Sequence, residues 1–202
     1  MRIYCEDARA VAFLRYVLKE NLAIATDSYM LFSDVNLGWT NYLQLVGKGI
    51  PEFRENIIVL DNDVRKSVAT DLSKKEIVSK NKNICILPLT IEKDLFCLLK
   101  NFSAENRFQE SIRDRMPNYN RNVCFSEWPL QAEAYKTEDF KHWYERLKNA
   151  IGDENVLFAF WCDEYPKETK EFVKEFVEAF NMLAESRDID AIPWSNTEET
   201  ME

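Results

Sequence analysis

The chain has 202 residues, 46% hydrophobic and 13% aromatic, enough apolar matter for one compact domain or one domain with a small helical appendage. Only 4 glycines and 6 prolines, with no run of either, exclude collagenous, low-complexity and flexible-linker chains, and no window of about 18 uninterrupted apolar residues is available to span a membrane. With 26 basic against 35 acidic side chains the net charge is -9, which argues against a bare basic surface that holds nucleic acid by counterion release; any such contact needs positive charge from divalent metals or a more basic partner.

The first apolar run is Ile3–Cys5, followed at once by Ala8–Asn21, where Val11, Leu14, Val17 and Leu18 recur at helical spacing: a strand running directly into a helix. Glu6 and Asp7 fall where a secretory signal needs an apolar core, so the expected location is the cytoplasm. Ala23–Phe32 is apolar and partly β-branched and fits a second strand, with a turn over Ser33–Gly38. Trp39–Val46 carries Tyr42, Leu43, Leu45 and Val46 on a helical stripe that Gly47 and Gly49 end. Ile57-Ile58-Val59-Leu60 is a continuous apolar run, the mark of a strand buried on both faces of a parallel sheet. A polar stretch opens at Asp61-Asn62-Asp63 and extends to about Asn83. Ile84–Leu87 is another buried strand, closed by Pro88, and Glu92–Lys100 is a helix with Leu95, Phe96, Leu98 and Leu99 inside.

Strand and helix alternate four times in about 100 residues, which predicts a doubly wound α/β sheet. Phe102–Lys136 is mixed in character and has no assignment. Two helices follow, Glu138–Ile151 with Thr137 as a cap, and Lys167–Ala184 with Phe172, Phe176 and Phe180 on one stripe, expected as core or as a face for a partner helix. The expected domains are therefore residues 1–102 and a mainly helical region, 103–202. Cys5, Cys85, Cys97, Cys124 and Cys162 lie far apart with no CxxC pair, as expected of reduced and mostly buried thiols.

The chemistry lies in where acids fall relative to the strands. Glu6 follows the first strand, Asp61 and Asp63 follow the third, and Glu92 begins the helix after the fourth. Parallel strands all point one way, so these ends share one edge, where ligands of such sheets collect. Asp61 and Asp63 point the same way if they keep strand spacing. Oxygen ligands without His or Cys select Mg²⁺ or Mn²⁺, and two such ions about 4 Å apart activate a water and stabilise the leaving oxygen of a phosphodiester. Taken singly, an Asp-x-Asp after a strand is most often a turn or a helix cap; the order of the acids along the chain is what argues for a site.

The stretches IYCEDARAVAFLRYVL, LGWTNYLQL, IIVLDNDVR and ILPLTIEKDLFCLL together resemble the TOPRIM domain shared by topoisomerases, primases and a group of nucleases. More narrowly, they resemble the nuclease end of the overcoming-lysogenization-defect family, in which an ABC-type ATPase precedes a TOPRIM nuclease. The resemblance covers about the first 100 residues. It implies a Rossmann-like, mostly parallel sheet flanked by helices with an α-helical C-terminal extension. It also implies a Mg²⁺- or Mn²⁺-dependent endonuclease acting on DNA, or RNA, in anti-phage defence, with an ABC-type ATPase as partner in cis or in trans. By the same resemblance Glu6 is the acid after the first strand, Asp61 and Asp63 are the Asp-x-Asp metal ligands, and Glu92 is the acid after the Leu-Pro. Where the family often has glycine and then a second acid four positions after the first Glu, this chain has Asp7 and Ala10, leaving Asp7 as the substitute ligand for a second ion. The family's late lysine, which steadies the transition-state phosphate, corresponds by position to Lys136 or Lys141. Because the first strand begins at Met1, the expectation is a piece of a longer chain or a stand-alone subunit that meets its ATPase in trans.

His142 is the single histidine, so His-based nucleophilic or zinc mechanisms are not expected. There is no Gly-x-x-x-x-Gly-Lys-Ser/Thr for a P-loop and no Gly-rich loop for a nucleotide-using synthetic enzyme. Lys74, Lys75, Lys80 and Lys82 form the most basic stretch, either a solvated helix and loop or a phosphate-contacting edge beside the metal site. The rival to a nuclease is a TOPRIM-like scaffold without catalysis that binds an ATPase or a nucleic-acid partner. Both are compatible with a homo-oligomer, and neither involves a membrane.

Overall fold

The structure, a computed structural model, describes residues 1–22, 26–116, 132–187 and 189–194. The chain forms two compact units, Met1–Pro88 with the segment from Lys167 onward, and Leu89–Pro166. Residue 102, the expected boundary, falls inside the second unit, and the last long helix returns to the first.

The first unit is an α/β fold. Strands β1 (Arg2–Cys5), β2 (Leu31–Asp34), β3 (Ile57–Leu60) and β4 (Ile84–Ile86) form one sheet in the order β2-β1-β3-β4, and every pairing is parallel. All four residues of β3 are fully buried, as its unbroken apolar run predicts. Helix α1 (Ala8–Asn21) packs on β1 and β2; Asp7 caps it by accepting the Ala10 N–H at 2.8 Å. Helix α3 (Trp39–Gly47) and the short α4 (Pro51–Arg54) lead to β3. Helices α5 (Val64–Thr70) and α6 (Leu72–Lys80) lead to β4. One face of the sheet is sealed by Tyr4, Ile58, Leu60 and Ile86 against Tyr42, Leu43 and Val46 of α3 and Val64 of α5.

Several elements differ from expectation, two stretches most clearly. The second strand is Leu31–Asp34, preceded by the helical turn α2 (Thr26–Tyr29), where a strand over 23–32 is predicted; residues 23–25 lie outside those described. As an edge strand with no buried residue, β2 lacks the apolar run that marks its neighbours. The stretch 64–80, polar in sequence, is helical: Asp71 caps α6 by accepting from the Ser73 and Lys74 N–H groups, and α6 has no fully buried residue to give it a visible stripe.

The second unit is helical: α7 (Ile91–Leu99), α8 (Phe102–Arg115), α9 (Phe140–Ile151) and α10 (Glu154–Glu164), with two single 3-10 turns at Ala132–Ala134 and Thr137–Asp139. Phe96 meets Trp143 edge-on at 5.2 Å, joining α7 to α9, and Phe108 meets Phe160 at 5.0 Å, joining α8 to α10. Helix α11 (Pro166–Glu185) belongs to the first unit from Lys167 onward, and Phe172, Phe176 and Phe180 are buried, as a core stripe predicts. Cys5 and Cys85 are buried, Cys162 is half-buried and Cys97 is exposed, which corrects the expectation that the thiols are mostly buried; Cys124 lies outside the described residues. None of these four cysteines forms a disulfide. No helix among the described residues is long and apolar enough to cross a membrane.

Truncation of the central strand tests this core. Ile58→Ala is expected to cost about 2–5 kcal/mol in urea unfolding, whereas Leu72→Ala, at a side chain 83% exposed, stays within about 0.5 kcal/mol.

Candidate functional site

In-register parallel pairing sets the carboxyl ends of three strands side by side. Cys5, the last residue of β1, pairs with Asp34 at the end of β2 and with Val59 of β3. The residues that leave the sheet there are Glu6 and Asp7 after β1, and Asp61, Asn62 and Asp63 after β3. Burial raises the Cys5 thiol pKa first of all, and the negative charges of Asp61, Asp7, Asp34 and Glu6 raise it further. The thiol thus stays protonated and is no nucleophile. Asp34 is an acid of this rim that sequence reasoning placed in a turn; only the register of β2 against β1 reveals it.

Glu6 organises the rim. Its Oε1 accepts the Asp61 N–H at 2.8 Å and its Oε2 accepts the Trp39 N–H at 3.1 Å. The first bond ties the end of β1 to the end of β3. The second caps α3, whose own N-cap residue, Gly38, has no side chain to do so. Burial raises the Glu6 pKa; the two backbone donors work against that, and the charges of Asp63 and Asp7 add to it. Beneath this rim the buried Tyr42 hydroxyl donates to the Cys5 carbonyl at 3.0 Å, and its own pKa is raised, chiefly by burial.

The remaining residues divide. Asp61 is half-buried beside Glu6. Asp63 is exposed at the N-cap of α5 but makes no capping hydrogen bond, so the plain reading of the second Asp as a helix cap does not hold. Asp7 does have that plain role, through its bond to the Ala10 N–H. Glu92 lies in the first turn of α7, half-buried, and Lys136 and Lys141 are exposed; all three belong to the second unit. His142 is exposed, with its ring 6.4 Å from that of Tyr135. Of the basic stretch, only Lys74 comes near this rim, pairing with Asp71 at 3.1 Å and lying 5.1 Å over the Trp39 ring.

Sequence reasoning also passed over Asn62, between the two aspartates. Its Oδ1 is buried and has no hydrogen-bond partner. Asn62 lines a cleft of about 300 Å³ with Arg65, Pro88 and three α11 side chains, Glu168, Glu171 and Glu175, besides Phe172. An orphaned carbonyl oxygen beside oxygen-only acids suits a hard divalent cation in donor chemistry. Each carboxylate oxygen has two lone pairs, so the two N–H bonds to Glu6 leave acceptor capacity on both atoms. Among the described residues, however, no three His, Cys, Asp or Glu side chains are gathered closely enough to hold one ion. Comparison with protein-family models, with curated proteins and with solved structures returns no match.

An acid whose pKa rises on folding stabilises the fold only while protonated. For Glu6 that contribution is present below its ordinary value of 4.5 and is lost as pH rises through the raised one. Glu6→Gln cannot titrate, and its amide offers one acceptor to two N–H donors. Its stability deficit against the wild type, from urea midpoints, is expected to shrink between about pH 4 and pH 7; a deficit constant across that range contradicts the environment assigned to Glu6.

Proposed function

We propose that the first unit is a TOPRIM-type domain and that the protein is a Mg²⁺- or Mn²⁺-dependent nuclease acting on DNA phosphodiesters, the nuclease part of an ATPase-coupled anti-phage system. The observation that carries this reading is the pair of bonds from Glu6. The Asp61 N–H holds the Glu6 carboxylate against the start of the Asp61-Asn62-Asp63 segment and the Trp39 N–H holds it to α3, so acids from separate strand ends share one rim. On this reading Glu6, Asp61 and Asp63 would hold the ion; their side chains do not stand close enough together as they are and would have to close on it, with Asp34 adding charge at the β2 end. A divalent ion there supplies a polarised phosphoryl oxygen and an acidified water. The chain's own part is to fix the carboxylates: Glu6 by two amides, Asp61 by the end of a fully buried strand. A carboxylate with free lone pairs within reach of water accepts its proton. An acidic rim repels a polyanion until cations neutralise it, so divalent metal becomes a condition for DNA approach as well as for cleavage. Glu92 and Lys141, which the resemblance implies as a further acid and the phosphate-steadying lysine, are assigned to catalysis only as part of this reading.

A second reading, a binding module without catalysis, is favoured by the capping bond of Asp7: the side chain that the resemblance implies as the substitute second-metal ligand is already spent on α1.

The test is incubation of the purified protein with supercoiled and linear DNA, with and without Mn²⁺. The proposal expects Mn²⁺-dependent cleavage that Asp61→Asn lowers at least about 100-fold while the far-UV spectrum and melting temperature stay close to wild type. Cleavage that survives in Asp61→Asn, or none in the wild type with Mn²⁺, overturns it.

A further inference from the structure

The opposite edge of the same sheet is mixed in charge, with Glu52 and Glu55 near its β1 side, but cations gather at one place on it. Helix α6 ends at Lys80, and Asn81, Lys82 and Asn83 lead into the start of β4; α4 ends at Arg54, just before β3. Together they line a cleft of about 620 Å³, within the range of small-molecule sites. The cations Arg54, Lys80 and Lys82 face it with one acid, Glu76, which is bonded to the Lys80 ammonium and whose pKa that bond lowers. Two positive charges are thus uncompensated in a cleft of a chain whose net charge is -9. Arg54 and Lys82 have no ion-pair partner among the described residues.

The cleft is built and not merely decorated. Gly49 has a φ of +73°, a left-handed turn that favours glycine, and it packs close to Arg54: a Cβ placed there would stand 3.3 Å from the guanidinium carbon. The Asn83 amide donates to the Phe53 and Asn56 carbonyls at 2.8 and 2.7 Å and fixes the chain behind Arg54 to the chain entering β4. Ile77, half-buried, and Met182, 43% exposed, supply an apolar patch beside the cations against which a flat ring can lie.

We propose that this cleft binds a phosphorylated anion of nucleotide size, with Arg54 and Lys82 holding the phosphate and the patch formed by Ile77 and Met182 receiving the base. A guanidinium presents paired donors to phosphate oxygens and an ammonium adds a point charge. The site stands apart from the carboxylate rim and does not depend on the nuclease reading. The phosphate belongs either to a free nucleotide or to the end of a strand, and the test separates them.

Calorimetric titration in EDTA, at low and at physiological salt, uses AMP, adenosine, and hexathymidylate with and without a 5′-phosphate. AMP binding that weakens with salt, no binding of adenosine, and at least about tenfold weaker AMP binding in Arg54→Gln/Lys82→Gln support the site. Preference for the 5′-phosphorylated strand over AMP supports it with a strand end as the source. Asp61→Asn is expected to bind as the wild type does, so loss of nuclease activity and loss of this site are read separately. Both substituted cations are exposed, and an unchanged melting temperature shows that the double variant folds. Adenosine binding as well as AMP, no binding of either AMP or the phosphorylated strand at millimolar concentration, or undiminished binding in the folded double variant overturns the proposal.

Discussion

One carboxylate, that of Glu6, joins three parts of the chain that lie far apart in sequence. It leaves the end of β1, holds the backbone where β3 ends, and caps the helix that comes after β2. Its surroundings are unfavourable to charge: it is half-buried, and two other acids bear on it. Two N–H donors offset part of that cost, and the remainder is electrostatic tension of the kind that a bound cation relieves. A glutamate that served only to cap α3 would not need the Asp-x-Asp segment as its neighbour. That juxtaposition gives the edge its chemical character.

The parallel sheet converts sequence position into polarity. All four strands point the same way, so the residues after each strand gather at one edge and the residues before it at the other. Acids come after β1 and β3 and end β2; Arg54 precedes β3 and Lys82 precedes β4. Helix α3 starts at the acidic edge, where Trp39 meets Glu6, and ends at Gly47 on the basic cleft. Helix α6 runs the same course, from Lys74 beside Trp39 to Lys80. The lysine-rich segment is therefore not one patch: its first member lies near the carboxylates and its last members lie near the opposite edge. A net charge of -9 conceals this separation.

Much of this was legible in the residues. An unbroken Ile-Ile-Val-Leu run has no amphipathic alternative, and β3 lies where it predicts; the apolar stripes of α1, α3 and α7 place those helices within a residue or so. Most elements that escaped are those that burial does not mark; α8 is the exception, with Ala104, Phe108 and Ile112 buried at helical spacing in a stretch left unassigned. Strand β2 is an edge strand without a buried residue, so Asp34 read as part of a turn. Helix α6 has no buried side chain, its apolar ones being half-buried or, at Leu72, exposed, and α10 is the converse: Val156 through Trp161 are all buried, leaving no periodicity to detect. For the candidate site, Glu6 and the two aspartates were singled out by their order after strands. The partners of Glu6, two backbone amides, and the orphaned Asn62 oxygen leave no trace in sequence because they depend on tertiary register. The capping role of Asp7 was available from its place before a helix.

A nuclease of this kind requires carboxylates from different strand ends to act on one divalent cation. The direct measurement is the melting temperature of the wild type and of Asp61→Asn across a Mn²⁺ titration at constant ionic strength, since an ion bound by the folded state alone raises stability by mass action. The expected result is a saturable rise in the wild type that is lost or strongly reduced in Asp61→Asn. A wild-type midpoint that does not move at millimolar Mn²⁺, or an equal rise in both proteins, contradicts shared coordination at this rim.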